Sequence, residues 1–471
     1  MGKKSLGEFI AALRLTEGRA ADLEARLAQH PDTEPSPEAR DTTTSNIFFA
    51  CICLEAALGA NSVSTAPVKQ TLVDENWSNA CWLTPACIVE PNSASDVSKI
   101  LTVIEQFQTP SAVRSGGHSP NPGWSSISQL GILIDLSRLN QIIVSSDRQT
   151  VTVGPGQRWG NVYTTLDAYG VTVIGGRVST VGVGGLILGG GYFYSSSEYG
   201  LAADNVKSFE VVLSDGTVTT ASAQENPDLF WALKGGGPNF GIVTSYELNT
   251  VPVHEIWYEG FAFSNDQVPA IFDAYAAWQN SSDFDVKATA SFIINLEATL
   301  LALVYSAPSN GRPAAFAPFD GVIASGMQIV PPTNGTVLSF FELVNSLSPV
   351  IPGGRHDYRA ASSQVDAQLY KDVYNIWAPQ AAAVNKATGA NQTFAIQPFP
   401  KNLVQQGILK GGNPLGMPLE NFQAWTSVVD WTNTAQDAEV RSVSIETTEA
   451  WQQLSQERGL AVNLTYMTIS S

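Results

Sequence analysis

Arg114-Ser115-Gly116-Gly117-His118-Ser119-Pro120 follows the apolar, strand-like run 111–113 and places one histidine directly after two glycines. Glycine has no Cβ to hold a neighbour off and tolerates positive φ, so such a loop lets bare backbone close on a flat, anionic ligand. His118 then sits at that ligand's edge. Taken alone, a Gly-Gly-His triplet is better read as a histidine in an ordinary turn.

Its company downstream separates the two possibilities. Gly175-Gly176-Arg177 leads into Val181-Gly182-Val183-Gly184-Gly185, then Gly189-Gly190-Gly191-Tyr192, then Leu233-Lys234-Gly235-Gly236-Gly237 and Asn239-Phe240-Gly241-Ile242-Val243. Glycine clusters this dense are poorly explained by turns alone. In order and spacing these motifs resemble the flavin-dependent oxidoreductases with a p-cresol methylhydroxylase-type FAD domain, and within them the berberine-bridge-enzyme-like branch, its fungal secondary-metabolism members above all. The likeness runs over residues 76–248 and weakens to short islands beyond.

The resemblance implies an α+β fold: a two-subdomain FAD-binding domain followed by a substrate domain with a broad antiparallel sheet flanked by helices. It implies FAD as cofactor and His118 as its covalent ligand, because an imidazole nitrogen can add to the activated 8α-methyl carbon of the isoalloxazine and make it a better hydride acceptor. Many relatives have a second attachment through a cysteine at the position held here by Val178, in Gly176-Arg177-Val178-Ser179-Thr180-Val181-Gly182-Val183-Gly184-Gly185. Valine forms no thioether, so a single linkage is expected.

Around the cofactor the resemblance places Arg114, Ser115, Gly116, Gly117 and Ser119 beside the histidine, then Gly176, Val181, Gly182, Gly184 and Gly185. Gly190, Gly191, Tyr192, Asp204, Asn205, Gly241, Ile242 and Val243 complete the set, although Asp204 also fits a loop-capping role. Backbone N–H groups of the 115–118 loop and of glycines 182, 184 and 185 are expected to face the pyrophosphate. The strand, G-x-G-x-x-G, helix and distant acid of a Rossmann fingerprint do not occur in that order.

Gln397 and Asn413 match fungal islands and are expected in the substrate cleft. Loss of hydride needs a base. Tyr466, in Asn463-Leu464-Thr465-Tyr466, faintly resembles the tyrosine that carbohydrate-oxidising relatives use, with packing as its competing role. Relatives continue beyond this point with a segment that returns to the FAD domain, so a shortened return segment and a more exposed flavin are expected.

The resulting expectation is an FAD-dependent oxidoreductase, an oxidase or dehydrogenase. It takes hydride from a small hydrophobic natural product and passes electrons to dioxygen. The alternatives are a carbohydrate or alcohol oxidase, and a non-redox flavoprotein cyclase or inactive paralogue.

Composition agrees with an enzyme of small molecules. A length of 471 residues favours two or three domains, and 44% hydrophobic with 14% charged residues describes a soluble globular chain. We divide it into an amphipathic extension and tether (1–45), an FAD-binding domain (46–252), a substrate domain (253–455) and the return segment (456–471). A net charge of −18 repels nucleic acid and anionic membranes, which excludes both as partners.

Cys51, Cys53, Cys81 and Cys87 lack the paired spacing of a zinc site, so no metal is expected. Secreted members of the resembled family have an arrangement like a Cys53 to Cys87 disulfide; four buried thiols is the preferred alternative. Glu8, Arg14 and Glu17 interrupt any secretion-signal core near the start, and Leu6 sits where a myristoylation signal wants Ser or Thr. The apolar run 47–54 is too short to span a bilayer. A cytoplasmic protein is the simpler reading, with secretion open if the chain begins near residue 42. The sequons at Asn76, Asn280, Asn334, Asn391 and Asn463 are little more than chance supplies in so Asn-, Ser- and Thr-rich a chain.

Periodicity predicts one or two amphipathic helices over 6–30 and a tether over 31–44. A strand over 87–90, a helix capped by Ser93 or Ser95 to about 107 and a strand ending at Arg114 form a βαβ unit that delivers the glycine-histidine loop. Strands over 131–135 and 150–153, a helix over 158–169 and a strand over 171–174 deliver Gly175-Gly176. Asp215-Gly216 predicts a type I′ hairpin. Beyond residue 252, strands over 256–263, 288–294 and 300–305 alternate with helices over 268–278 and 365–377.

Overall fold

A computed structural model describes residues 5–28, 39–332, 338–347 and 353–464. The strands Val63–Thr65, Cys87–Val89, Ile132–Asp135 and Ser111–Arg114 form a first sheet in that order. The last three run parallel, as a strand-helix-strand connection requires. The connecting helix Ala94–Phe107 starts where the Ser93 side chain accepts from the Asp96 N–H, and it buries Val97, Ile100 and Val103 on one stripe. Each of those aliphatic side chains contributes roughly 1.5–3 kcal/mol.

The N-terminal helices Leu6–Ala12 and Glu17–Ala28 pack on this lobe. Phe9 meets Phe107 edge-on at 5.7 Å, and Leu13, Leu23 and Leu27 share a core with Ile100 and Val103. Residues 39–44, expected in the tether, instead begin the helix Ala39–Leu58; the rest of that expectation, 31–38, lies outside the described residues. Burial of Ile47, Ala50 and Leu54 nucleates this helix, and propagation upstream then needs only one hydrogen bond per residue.

The cysteine expectations are corrected on the same helix. Cys51 is bonded to Cys87, with Cα atoms 6.1 Å apart, while Cys53 and Cys81 are buried free thiols. Two residues along a helix turn the side chain by about 200°, so when Cys51 meets the strand at Cys87, Cys53 points elsewhere into the core.

A second, antiparallel sheet has the order Ile142–Val144, Thr150–Val153, Ile242–Asn249, Val206–Val212, Val218–Ser222. Its last two strands are joined at Asp215-Gly216, but the turn is not type I′. Only Gly216 has positive φ, at +82°, and a type I′ turn needs it at Asp215 as well. The strand expected over 171–174 is reduced to one bridge from Thr172 to Val251. The chain must leave it at Gly175, where a Cβ would lie 2.2 Å from the Trp159 ring.

The third sheet has nine strands and is antiparallel. Its main order is Met327–Val330, Glu255–Phe263, Thr299–Tyr305, Ala288–Ile294, Phe394–Phe399, Phe422–Trp431, Arg355–Gln364. Alternation gives it two faces. Phe292, Leu301, Ile396, Trp425 and Ala361 share a core with the helices Val268–Gln279, Ala367–Thr388 and Asp437–Glu457. On the other face Phe399, Phe422 and Ala424 pack with Tyr192 and Leu201 of the glycine-rich region. No helix among the described residues is long and apolar enough to cross a membrane.

Candidate active site

The strand Ser111–Arg114 ends in a buried polar knot that fixes the loop after it. Arg114 donates from Nε to Asp135 at 2.7 Å and from Nη1 to Asn76 Oδ1 at 2.8 Å, and both Arg114 and Asp135 are buried. Asn76 also donates to Ser125 Oγ at 3.0 Å, so the first sequon is committed inside the protein. Leaving either charge of a buried pair alone costs about 3–5 kcal/mol, which makes this a stiff anchor.

From there the glycines bring two loops into backbone contact. A Cβ on Gly116 would lie 2.4 Å from Gly182 Cα, and one on Gly182 would lie 2.5 Å from Gly116 Cα. Ser115 Oγ donates to the Pro155 carbonyl at 2.5 Å and accepts from the Gly184 N–H at 3.2 Å. The Gly184 amide, expected on the pyrophosphate, is thus bonded within the protein. Arg158 clamps both loops, donating to the carbonyls of Gly116 (2.9 Å) and Thr180. Burial pushes its guanidinium pKa down.

His118 is buried, with Nε2 3.0 Å from Thr180 Oγ1. Its ring stacks on Trp77 at 4.8 Å, and Trp77 stacks in turn on His356 at 4.0 Å. The backbone N–H of Trp77 donates to the Gly117 carbonyl at 2.9 Å; His356 belongs to the third sheet, and its Nδ1 lies 2.5 Å from Asp430. Ser119 closes the loop by accepting, at its carbonyl, from Cys81 Sγ at 3.4 Å.

A second group gathers around Tyr192. Gly190 and Gly191, at φ +108° and +79°, accept from the N–H groups of Ala203 and Ala202. Tyr192 lies 5.4 Å from Phe399 and beneath the Arg177 guanidinium at 4.8 Å. Asp204 accepts from the Leu201 N–H at 2.9 Å and from Asn413 Nδ2 at 2.9 Å. Asn205 accepts from Lys410 Nζ at 2.7 Å. Asp204 and Asn205 are therefore latched to Asn413 and Lys410, which follow the helix Lys401–Leu409.

Gln397 follows the alternation of its strand onto the same face as Phe399. It shares a rung with Ser362, since both are paired with Ala424. Val178 is half-buried against the core of the glycine-rich lobe, beside Val181. Gly241, Ile242 and Val243 stand apart: a Cβ on Gly241 would lie 2.7 Å from Val211 Cγ2, at a register break between neighbouring strands. Gly176 accepts from the Tyr163 hydroxyl at 2.9 Å, and Gly185 lies in the short helix Val183–Leu188. Tyr466 lies outside the described residues.

The residues present fit FAD. The paired loops leave no room for a Cβ at Gly116 or Gly182, so bare backbone is presented there, and among the described residues the buried Tyr192 hydroxyl, Ser362 Oγ and Gln397 Oε1 have no hydrogen-bond partner. A family profile described as an FAD binding domain matches residues 85–222. An FAD-dependent monooxygenase of Arthrobotrys oligospora is 40% identical over 402 residues, covering 85% of this chain and 77% of that protein. The chain belongs to the FAD-linked oxidoreductases. Its fold is similar to that of xylooligosaccharide oxidase from Myceliophthora thermophila C1, with a TM-score of 0.73, 21% identity and 90% of each chain covered. Berberine bridge enzyme from Eschscholzia californica gives 0.65 at 16% identity, covering 90% of this FAD-linked oxidoreductase and 87% of that chain.

Sequence reasoning missed Trp77, Arg158, Thr180, His356 and Asp430. Arg158 reads locally as the residue before a helix, and Trp77 lies inside a sequon. Neither position carries a local signal of the contact it makes.

Proposed function

We propose that this FAD-dependent oxidoreductase removes hydride from a small, largely hydrophobic natural product in secondary metabolism, with dioxygen as electron acceptor. The reading is carried by the placement of His118: buried, within hydrogen-bond distance of Thr180, stacked on Trp77, and held in a loop that Gly116 and Gly182 close. His118 carries FAD through one covalent bond, and Val178 offers no second one. FAD, when bound, supplies the hydride acceptor.

The chain's own residues do the rest. Arg158 and Ser115 lock the two loops, so the imidazole stands in one orientation. Oriented attachment of this kind converts an encounter into an effectively intramolecular step. Tyr192, Gln397 and Ser362 supply polar contacts on an otherwise apolar, aromatic wall, the usual make-up of a small-molecule site. Tyr466 as the base remains part of this proposal.

The name of the Arthrobotrys relative favours a second reading, insertion of one oxygen atom into the substrate. Turnover under ¹⁸O₂ with a panel of hydroxylated aromatics and benzylic alcohols separates the two. Hydrogen peroxide release with unlabelled product supports the oxidase; one labelled oxygen in the product replaces it with the monooxygenase. Product without flavin bleaching or oxygen uptake overturns both in favour of a non-redox cyclase.

A further inference from the structure

Among the described residues Arg177 has no ion-pair partner, yet it lies beside Tyr192 in the glycine-rich region. Among the described residues its contacts are two aromatic faces, Tyr192 at 4.8 Å and Tyr194 at 5.7 Å from guanidinium carbon to ring centroid. The backbone before it is fixed, because Gly176 accepts from the Tyr163 hydroxyl at 2.9 Å and neither Gly175 nor Gly176 leaves room for a Cβ against Trp159. A guanidinium held over aromatic faces by cation–π attraction uses no carboxylate partner, so its N–H donors can serve a ligand.

The second observation is independent of the first. The Tyr192 side chain is buried and its hydroxyl has no partner among the described residues, an arrangement costing about 1–3 kcal/mol unless a ligand completes it. Burial pushes that phenol up to about 12, so at neutral pH it is a donor and not a phenolate. Beside it, Phe399 leads along its strand to Gln397, whose rung Ser362 shares across Ala424. The wall therefore offers one cation and one buried hydroxyl donor next to aromatic surface.

We propose that Arg177 and Tyr192 form an anion subsite, so that the substrate is a conjugated or aromatic acid whose carboxylate or phenolate oxygen is paired with the guanidinium while its ring lies against the aromatic wall. This rests on the reading of the cleft as a site for a small hydrophobic molecule, and narrows it to one bearing a planar oxyanion. A protein of net charge −18 repels anions at long range, so recognition of an acid demands a local cation, and Arg177 supplies it. The bond is charge-assisted and planar on both sides, a match that lysine does not reproduce.

The test is calorimetric titration of the yellow holoenzyme with benzoate against benzamide, and with 4-nitrophenolate against nitrobenzene, in wild type, Arg177→Gln and Arg177→Lys. We expect at least one anion to bind wild type about tenfold tighter than its neutral counterpart, the preference to vanish in Arg177→Gln, and to persist only in part in Arg177→Lys. Whichever anion shows the preference identifies carboxylate or phenolate as the substrate's group. Equal affinities in wild type, or a preference that survives Arg177→Gln, overturn the subsite. Should Arg177→Gln fail to fold, Tyr192→Phe deletes only the hydroxyl. Anion affinity lower by about threefold or more then supports the subsite, and unchanged affinity overturns it. Colourless wild-type protein refutes the flavin reading itself, whereas yellow protein without anion preference refutes the subsite alone.

Discussion

The indole of Trp77 lies parallel to the imidazole of His356, with centroids 4.0 Å apart and planes within 3°. Because Trp77 also stacks on His118, one side chain couples the loop that carries His118 to the edge strand Arg355–Gln364 of the third sheet. Main-chain contacts reinforce the same junction: the Asn79 N–H donates to the Gly354 carbonyl at 2.9 Å, and the His356 N–H donates to Ser78 Oγ at 3.0 Å. Residues 77–79 and the edge strand of the third sheet meet where the imidazole is held.

Removing the indole should therefore loosen both. Trp77→Leu loses two stacked pairs, worth about 1–3 kcal/mol beyond simple burial, whereas Trp77→Phe keeps a ring in place. We expect the leucine variant to melt several degrees lower and to retain less flavin in the acid-precipitated pellet, with the phenylalanine variant close to wild type. A leucine variant with a full complement of acid-stable flavin contradicts a positioning role for Trp77.

The contact between Gly116 and Gly182 makes a sharper forecast. Alanine at either position drives a Cβ into opposing backbone at 2.4–2.5 Å, and backbone cannot swing aside as a side chain can. Overpacking of this sort costs about 1–3 kcal/mol or more, and it falls on the loop that carries His118. Gly116→Ala should lose bound flavin and stability together. Gly123→Ala, where no atom lies within 4 Å but φ is +90°, should cost only about 1 kcal/mol and leave flavin content alone. Equal flavin loss in both variants would count against a role for this contact.

The cysteines give a prediction in chemistry and one in pH. The Cys51–Cys87 bond spans 36 residues, so in the chain-entropy account its reduction removes about 4 kcal/mol. Peptide mapping without reductant should recover that pair and no Cys53–Cys87 species. Burial pushes the Cys53 thiol up to about 12 and Cys81 to about 11, from 9.0 when exposed, so iodoacetamide at pH 8 should label neither in the native protein. The sign for stability follows: between about pH 9 and 12 the unfolded chain loses the Cys53 proton while the folded chain keeps it, so stability falls as pH rises. A urea midpoint that declines less steeply over pH 8–10 in Cys53→Ala than in wild type confirms this contribution; parallel declines refute it.

Much of the scaffold was legible because its signals are local. Ser93 before an apolar stripe announces the helix Ala94–Phe107, and alternation announces strands such as Thr299–Tyr305. The same logic erred where long-range packing decides: residues 171–174 have strand chemistry but find one bridge, and helical phase chooses Cys51 over Cys53. In the site, the glycine loops were readable because close backbone approach demands glycine. The stack through residues 77, 118 and 356 was not, since only the folded chain brings three such distant positions together.

The central claim is that one imidazole, His118, anchors the flavin. Mass spectrometry of a denatured proteolytic digest tests it most directly. The account predicts FAD mass on the peptide containing His118, with no flavin on the peptide containing Val178 or on any cysteine peptide. A yellow protein whose His118 peptide is recovered unmodified would contradict it.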